Sequence, residues 1–110
     1  MSMYGDYIAE RLGDSIIETD KGFATYRFTD DKTCYLIDVY VSPQFRGQSV
    51  ARDISDMVMG LAKNRGCTKL IGSVVPSAKG STDSLKALLA YGMILDSSAN
   101  DFLLFRKEIF

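Results

Sequence analysis

The stretch from Cys34 to Val75 changes its hydrophobic period twice, and this constrains the fold more than any other feature. Cys34–Val41 is apolar on both alternating sides apart from Asp38, as in a strand covered on both faces. From Val50 to Arg65 the apolar positions are Val50, Ala51, Ile54, Met57, Val58, Leu61 and Ala62, a stripe at the helical period. Gly66 ends the stripe, and Lys63 and Arg65 fall in its last turn, where the helix dipole favours cations. Leu70–Val75 then returns to strand character. A strand, a helix and a strand in this order form a right-handed crossover between two roughly parallel strands.

The flanks supply partners for that unit. Tyr4, Ile8 and Leu12 recur at helical spacing and predict a short helix over Tyr4–Leu12. Ser15–Thr19 and Phe23–Thr29 are rich in β-branched and aromatic residues and read as a hairpin turning at Asp20-Lys21-Gly22. Asp30-Asp31-Lys32 is the next turn. Beyond the crossover, Pro76–Gly80 is a loop and Ser81 is placed to cap a helix that Gly92 ends, with Leu85, Leu88 and Leu89 inward. Met93–Asp96 and Phe102–Ile109 close the chain as a hairpin over a polar Ser97–Asp101 loop. The order α-β-β-β-α-β-α-β-β describes an α/β domain with a mixed, mostly antiparallel sheet.

At 110 residues the chain fits one domain, 1–110. A domain of this size buries roughly two-thirds of its unfolded surface, enough for a core without staples. A net charge of −1 supplies no basic field, so neither nucleic acid nor an anionic membrane is indicated as a partner. Met1–Gly13 lacks an apolar core of signal-peptide type, and no stretch approaches 18 apolar residues. Cys34 lies in a strand and Cys67 after a helix end, unlike settings that suggest reduced structural thiols and a cytoplasmic location. The absence of histidine removes the commonest general base and metal ligand, so a zinc or serine-hydrolase site is disfavoured and no metal is expected.

Function concentrates between the first crossover strand and its helix. Val41-Ser42-Pro43-Gln44-Phe45-Arg46-Gly47-Gln48-Ser49-Val50-Ala51 places a glycine-bearing turn directly before a helix. The first amides of a helix have no intrahelical partner, and the dipole is positive there. Gly47, with no Cβ, lets a ligand approach the main chain. Such a junction suits a phosphate or pyrophosphate. It also lies at the carboxyl end of a strand, where open α/β sheets collect ligands.

With these residues in place, the chain resembles the GNAT superfamily of N-acetyltransferases, which carries R/Q-x-x-G-x-G/A after a central strand. Gln44-Phe45-Arg46-Gly47-Gln48-Ser49 matches it, flanked by Val39-Tyr40-Val41-Ser42-Pro43 and followed by Arg52, and the likeness runs from about Ser15 to Ile109. The resemblance implies that main-chain amides from Arg46 to Ala51, including those of Gly47, Gln48, Ser49 and Val50, cradle the pyrophosphate of acetyl-CoA. It implies that the side chains of Gln44 and Arg46 flank the cradle, and that main-chain groups of Val39 and Val41 meet the pantetheine arm and thioester carbonyl. The two crossover strands would splay to admit that arm.

The match has departures. Ser49 stands where the family often has glycine, either as a plain helix cap or as a ligand contact. Arg52 in the first helical turn opposes the dipole unless an anion neutralises it; it contacts the ligand or is an ordinary exposed arginine. The family's tyrosine, which commonly protonates the departing thiolate, falls four residues before the glycine, and Leu88 occupies that position. Tyr91 lies about 60° away around the helix, as a substitute acid or a packing residue. Tyr35 occupies a position where several members have a carboxylate. Asp38, in an otherwise apolar strand, is a candidate base or acceptor-binding group, or else a structural partner for a cation.

The resulting expectation is an acyl-CoA-dependent N-acyltransferase using acetyl-CoA, with an amine on a small molecule or protein as acceptor. Asp38 and Tyr91 are the candidate catalytic side chains. The alternative is a catalytically degenerate GNAT-fold binding module, and a third reading is a cradle for another nucleotide. Family domains generally carry a further strand and helix before the first hairpin, where this chain has Met1–Gly13. A homodimer would supply the missing wall, or the pocket would lie open to a large acceptor.

Overall fold

The two changes of hydrophobic period become a crossover at the middle of one sheet. The computed structural model describes residues 2–110. Its elements are α1 (Met3–Leu12), β1 (Ser15–Glu18), β2 (Gly22–Asp30), β3 (Thr33–Val41), a 3₁₀ turn (Pro43–Phe45), α2 (Val50–Arg65), β4 (Lys69–Val74), α3 (Ser81–Ala90), β5 (Ile94–Ala99) and β6 (Phe102–Glu108). The six strands form one sheet in the order β1-β2-β3-β4-β6-β5. Among the described residues only β3 and β4 run parallel, as the crossover requires; every other pair is antiparallel.

α2 and α3 share one face of the sheet. Val50, Ile54, Val58 and Ala62 of α2 pack with Ala24, Cys34, Leu36 and Leu70. Burying a side chain such as Ile54 is worth about 1.5–3 kcal/mol, and truncating it to alanine would cost about 2–5 kcal/mol once the cavity is included. Met57 and Leu61, expected in the same stripe, are 47% and 44% exposed, because the sheet meets only the central part of that stripe. Leu85 and Leu88 of α3 pack on Val74, Met93 and Phe105. α1 lies on the opposite face, where Tyr4 meets the Phe23 ring at 5.9 Å and Gly5 approaches Ile16. It reaches only the β1–β2 side, so the rest of that face is open and Tyr40 is exposed. β3 is therefore not covered on both faces along its whole length.

Three local expectations are corrected. Gly80, not Ser81, is the N-cap of α3; the Ser81 hydroxyl instead donates to the Pro76 carbonyl at 2.7 Å. Ser97–Ala99 extend β5 rather than forming a loop, because they pair through main-chain groups with Leu104, Leu103 and Phe102, which places no demand on apolar side chains. Leu89 is exposed, since the α3 stripe that meets the sheet is narrower than the run of leucines.

Two irregularities position the site. β3 and β4 pair only at Thr33↔Lys69, Cys34↔Leu70 and Tyr35↔Ile71, and then part. Each keeps its outer partner, so β3 stays with β2 and β4 with β6 while a gap opens between them. The second is a register slip: Tyr26 faces Leu36 but Thr25 faces Asp38, leaving Ile37 as an extra residue. Before the slip Cys34 and Leu36 face α2; after it Val39 and Val41 do. A bulge re-aims the side chains that follow it. Asp38 is thereby turned, with Thr25, toward the face opposite α2.

Candidate active site

The gap between β3 and β4 opens into a cleft of about 660 Å³. Its walls are the second half of β3 (Leu36, Ile37, Asp38, Val39), the start of α2 (Ser49, Ala51, Arg52, Ser55) and the inner side of α3 (Ser84, Ala87, Leu88, Tyr91), with Ser73 from β4. A hydrogen bond of 2.6 Å between the Tyr35 and Ser73 hydroxyls spans the root of the gap, where ladder pairing stops. At the far end of the sheet a second, open recess holds Lys32, Lys69 and Arg106 among four carboxylates, and Arg106 is paired with Asp96 at 3.0 Å and Glu108 at 3.3 Å.

The turn at the cleft mouth has the form of an anion cradle. Gly47 and Ser49 both adopt left-handed backbone, with φ of 78° and 64°. The Arg46 amide is spent on the Pro43 carbonyl at 3.4 Å. From Gly47 to Ala51 no main-chain acceptor among the described residues takes the amide hydrogens. Successive unpaired amides in such a turn form an anion-binding concavity, and the positive end of α2 adds to it. A Cβ at Gly47 would meet nothing within 4 Å, so the cradle is open on that side. Ser49 occupies the N-cap position but makes no side-chain cap bond, since left-handed backbone turns its hydroxyl away from the helix amides. That hydroxyl remains available at the cleft wall.

The flanking side chains are held by the protein itself. Arg46 Nε donates to the Val41 carbonyl at 3.0 Å, and its guanidinium sits 5.6 Å from the Tyr40 ring centroid. Gln48 Nε2 donates to the Gln44 carbonyl at 3.2 Å. Arg52 crosses the cleft, and its Nη2 donates to the Ala90 carbonyl at 3.3 Å. The cradle is therefore main chain first, with cations at its rim.

The two candidate catalytic side chains differ. Asp38 borders the cleft where the gap passes through to the opposite face of the sheet; it is exposed there, yet partial burial disfavours its charged form and pushes its pKa above the ordinary carboxylate value. A carboxylate so placed is a stronger base than one in water. The Tyr91 hydroxyl donates to Asp56 Oδ1 at 2.6 Å, and burial followed by that bond pushes its pKa up. Lys107 Nζ donates to the Tyr91 carbonyl at 2.9 Å. Tyr91 thus ties α3 to α2, a link that sequence reasoning missed because its partners lie 35 and 16 residues away. Leu88 contributes only hydrocarbon, packed against Gly72. Both cysteines are buried and free, and burial pushes Cys34 up to about 12, which keeps it a thiol.

A mostly antiparallel sheet split at its one parallel pair, with an amide cradle at the mouth of the split, defines the acetyltransferase class of α/β fold that the motif suggested. Residues 15–87 match the model of the Acetyltransferase (GNAT) family, and the chain belongs to that family. It is 34% identical over 79 residues to a thialysine N-epsilon-acetyltransferase of Bos taurus, covering 72% of this chain and 46% of that one. The chain spans about half the length of the relatives it matches. Among solved structures, a GNAT family acetyltransferase from Elizabethkingia anophelis with acetyl-CoA bound superposes with a TM-score of 0.71 at 17% identity, covering 94% of this chain and 82% of that one. A PaiA N-acetyltransferase from Thermoplasma acidophilum in complex with coenzyme A gives a TM-score of 0.74 at 12% identity, covering 96% and 68%.

Proposed function

We propose that this chain transfers an acetyl group from acetyl-CoA to a primary amine. The observation that carries the reading is the run of unpaired amides from Gly47 to Ala51 at the mouth of the β3–β4 gap. Those amides fit a pyrophosphate, with Gln44, Arg46, the Ser49 hydroxyl and Arg52 around it. The gap fits an extended arm, and the unpaired edge of β3 offers main-chain groups of Val39 and Val41 to it, although Arg46 already uses the Val41 carbonyl. Acetyl-CoA supplies an acyl group already activated as a thioester.

Asp38, directly or through a water, takes the proton of the incoming ammonium so that a neutral amine attacks the acyl carbon. Positioning both partners in the gap supplies the larger share of the rate, about 7–11 kcal/mol, against about 10²–10⁴-fold for the proton transfer. As the C–N bond forms and the C–S bond breaks, the nitrogen releases its second proton to solvent and the thiolate takes one from solvent, because the Tyr91 proton is held by Asp56. No covalent enzyme intermediate is required. The acceptor is an amine on a small molecule or a protein; the name of the bovine relative makes thialysine the first to try.

Incubation with acetyl-CoA and an amine panel, read by thiol release, tests the reading. Release that depends on the amine is expected. Complete inactivity with intact CoA binding would overturn the enzyme and leave the binding module, the reading that Leu88 and the committed Tyr91 hydroxyl favour.

A further inference from the structure

The cradle conformation is costly, and what holds it lies outside the cleft. A non-glycine residue in left-handed backbone costs about 1–2 kcal/mol and persists only where its surroundings over-determine it. On its inner side the turn is continued by α2. On its outer side it rests on the β1–β2 turn. The Ser42 amide donates to the Lys21 carbonyl at 2.8 Å, and Lys21 Nζ lies 5.5 Å from the Phe45 ring centroid. At the adjoining strand ends a Cβ on Gly22 would clash with the Tyr40 carbonyl oxygen, so glycine is needed for β2 to pair this closely with the end of β3. The Tyr40 ring stacks on Phe23 at 5.6 Å and also carries the Arg46 guanidinium, 5.6 Å from its centroid. The β1–β2 turn is itself rigid, since the Thr19 hydroxyl accepts from the Lys21 amide at 3.1 Å and the Gly22 amide at 3.2 Å.

We infer that the β1–β2 turn clamps the pyrophosphate cradle in its binding shape, with Tyr40 and Lys21 as positioning residues that never touch the ligand. The inference rests on the CoA reading of the cradle. Arg46, held at one end by the Val41 carbonyl and on its flat side by Tyr40, fixes the main chain immediately before Gly47. Removing the ring frees Arg46 and the turn, and the ligand must then order both when it binds.

Calorimetry with CoA on the full chain tests this. Tyr40→Ala is expected to weaken CoA binding about tenfold, with the melting temperature lowered by the loss of its stack on Phe23, and Lys21→Met about threefold with the melting temperature of the free protein nearly unchanged. Tyr40→Phe keeps the ring on which Arg46 rests and is expected to stay within about twofold of wild type. Unchanged or tighter binding by Tyr40→Ala, or an equal loss in Tyr40→Phe, overturns the clamp while leaving the cradle intact. Failure of the wild-type chain to bind CoA overturns the proposed function, and the clamp with it.

Discussion

The two faces of this sheet are built differently. On one, α2 and α3 close over β3, β4 and β6, and the cradle, the gap and the buried core are continuous. On the other, α1 reaches only the β1–β2 side, and Tyr40 and Ile94 stand 45% and 52% exposed. The closed face carries the parts that would grip a ligand by its main chain; the open face carries Asp38, the group that would act on the acceptor. A shared ligand needs a rigid, mostly main-chain site, whereas an acceptor site is set by a few side chains on an open surface and is correspondingly harder to read.

The largest expected effect breaks the closed face. Gly47→Trp forces a bulky side chain into left-handed backbone at the mouth of the cradle, and CoA affinity should fall by at least about 100-fold in a calorimetric titration. Because a Cβ there meets nothing, the fold should survive, as circular dichroism would check.

Asp38→Asn tests the open face. The rate with a responsive amine should drop about 10²-fold, the range for a lost general base, while CoA binding holds. The pKa of Asp38 is raised in the folded chain, so its contribution to stability is present below the unfolded pKa and lost as pH rises through the folded one. The variant should therefore melt higher than wild type at neutral pH, with the gap closing toward acid. Equal melting at both pH values would remove the burial argument.

Tyr91→Phe asks whether the link between α2 and α3 is structural. Loss of the Asp56 bond should cost about 1 kcal/mol of stability, with a rate change under about fivefold. A 10²-fold fall that removes the alkaline limb of the pH profile would make Tyr91 the acid. The smallest effect belongs to Ser49→Gly, which relieves left-handed backbone and should stabilise the chain by about 1 kcal/mol in thermal melts, with a CoA affinity change under about threefold.

What could be read from the sequence follows the same division. The α2 boundaries, Val50 and Arg65, are those its periodicity and flanking residues indicate, and the crossover and element order follow from period changes within single segments. The cradle was legible for the same reason, since Gly47, Ser49 and the helix start are neighbours in sequence. The register slip after Leu36 was not, because alternation alone cannot show which residue β2 skips, and that slip decides where Asp38 points. Nor could the chain reveal that Arg52 reaches Ala90 or that Tyr91 reaches Asp56, contacts that exist only once α3 is folded against α2. Ser49 was legible as a helix start but not as a left-handed residue, because serine is the wrong residue type for that backbone.

The central claim is that the Gly47–Ala51 amides hold a CoA pyrophosphate, and thermal melting with acetyl-CoA tests it most directly. A ligand at about 100 times its Kd stabilises by about 2.7 kcal/mol, a rise of several degrees for a domain of this size. The wild-type chain should show that rise and Gly47→Trp should show none. No rise in the wild type, or an equal rise in both, would contradict the account.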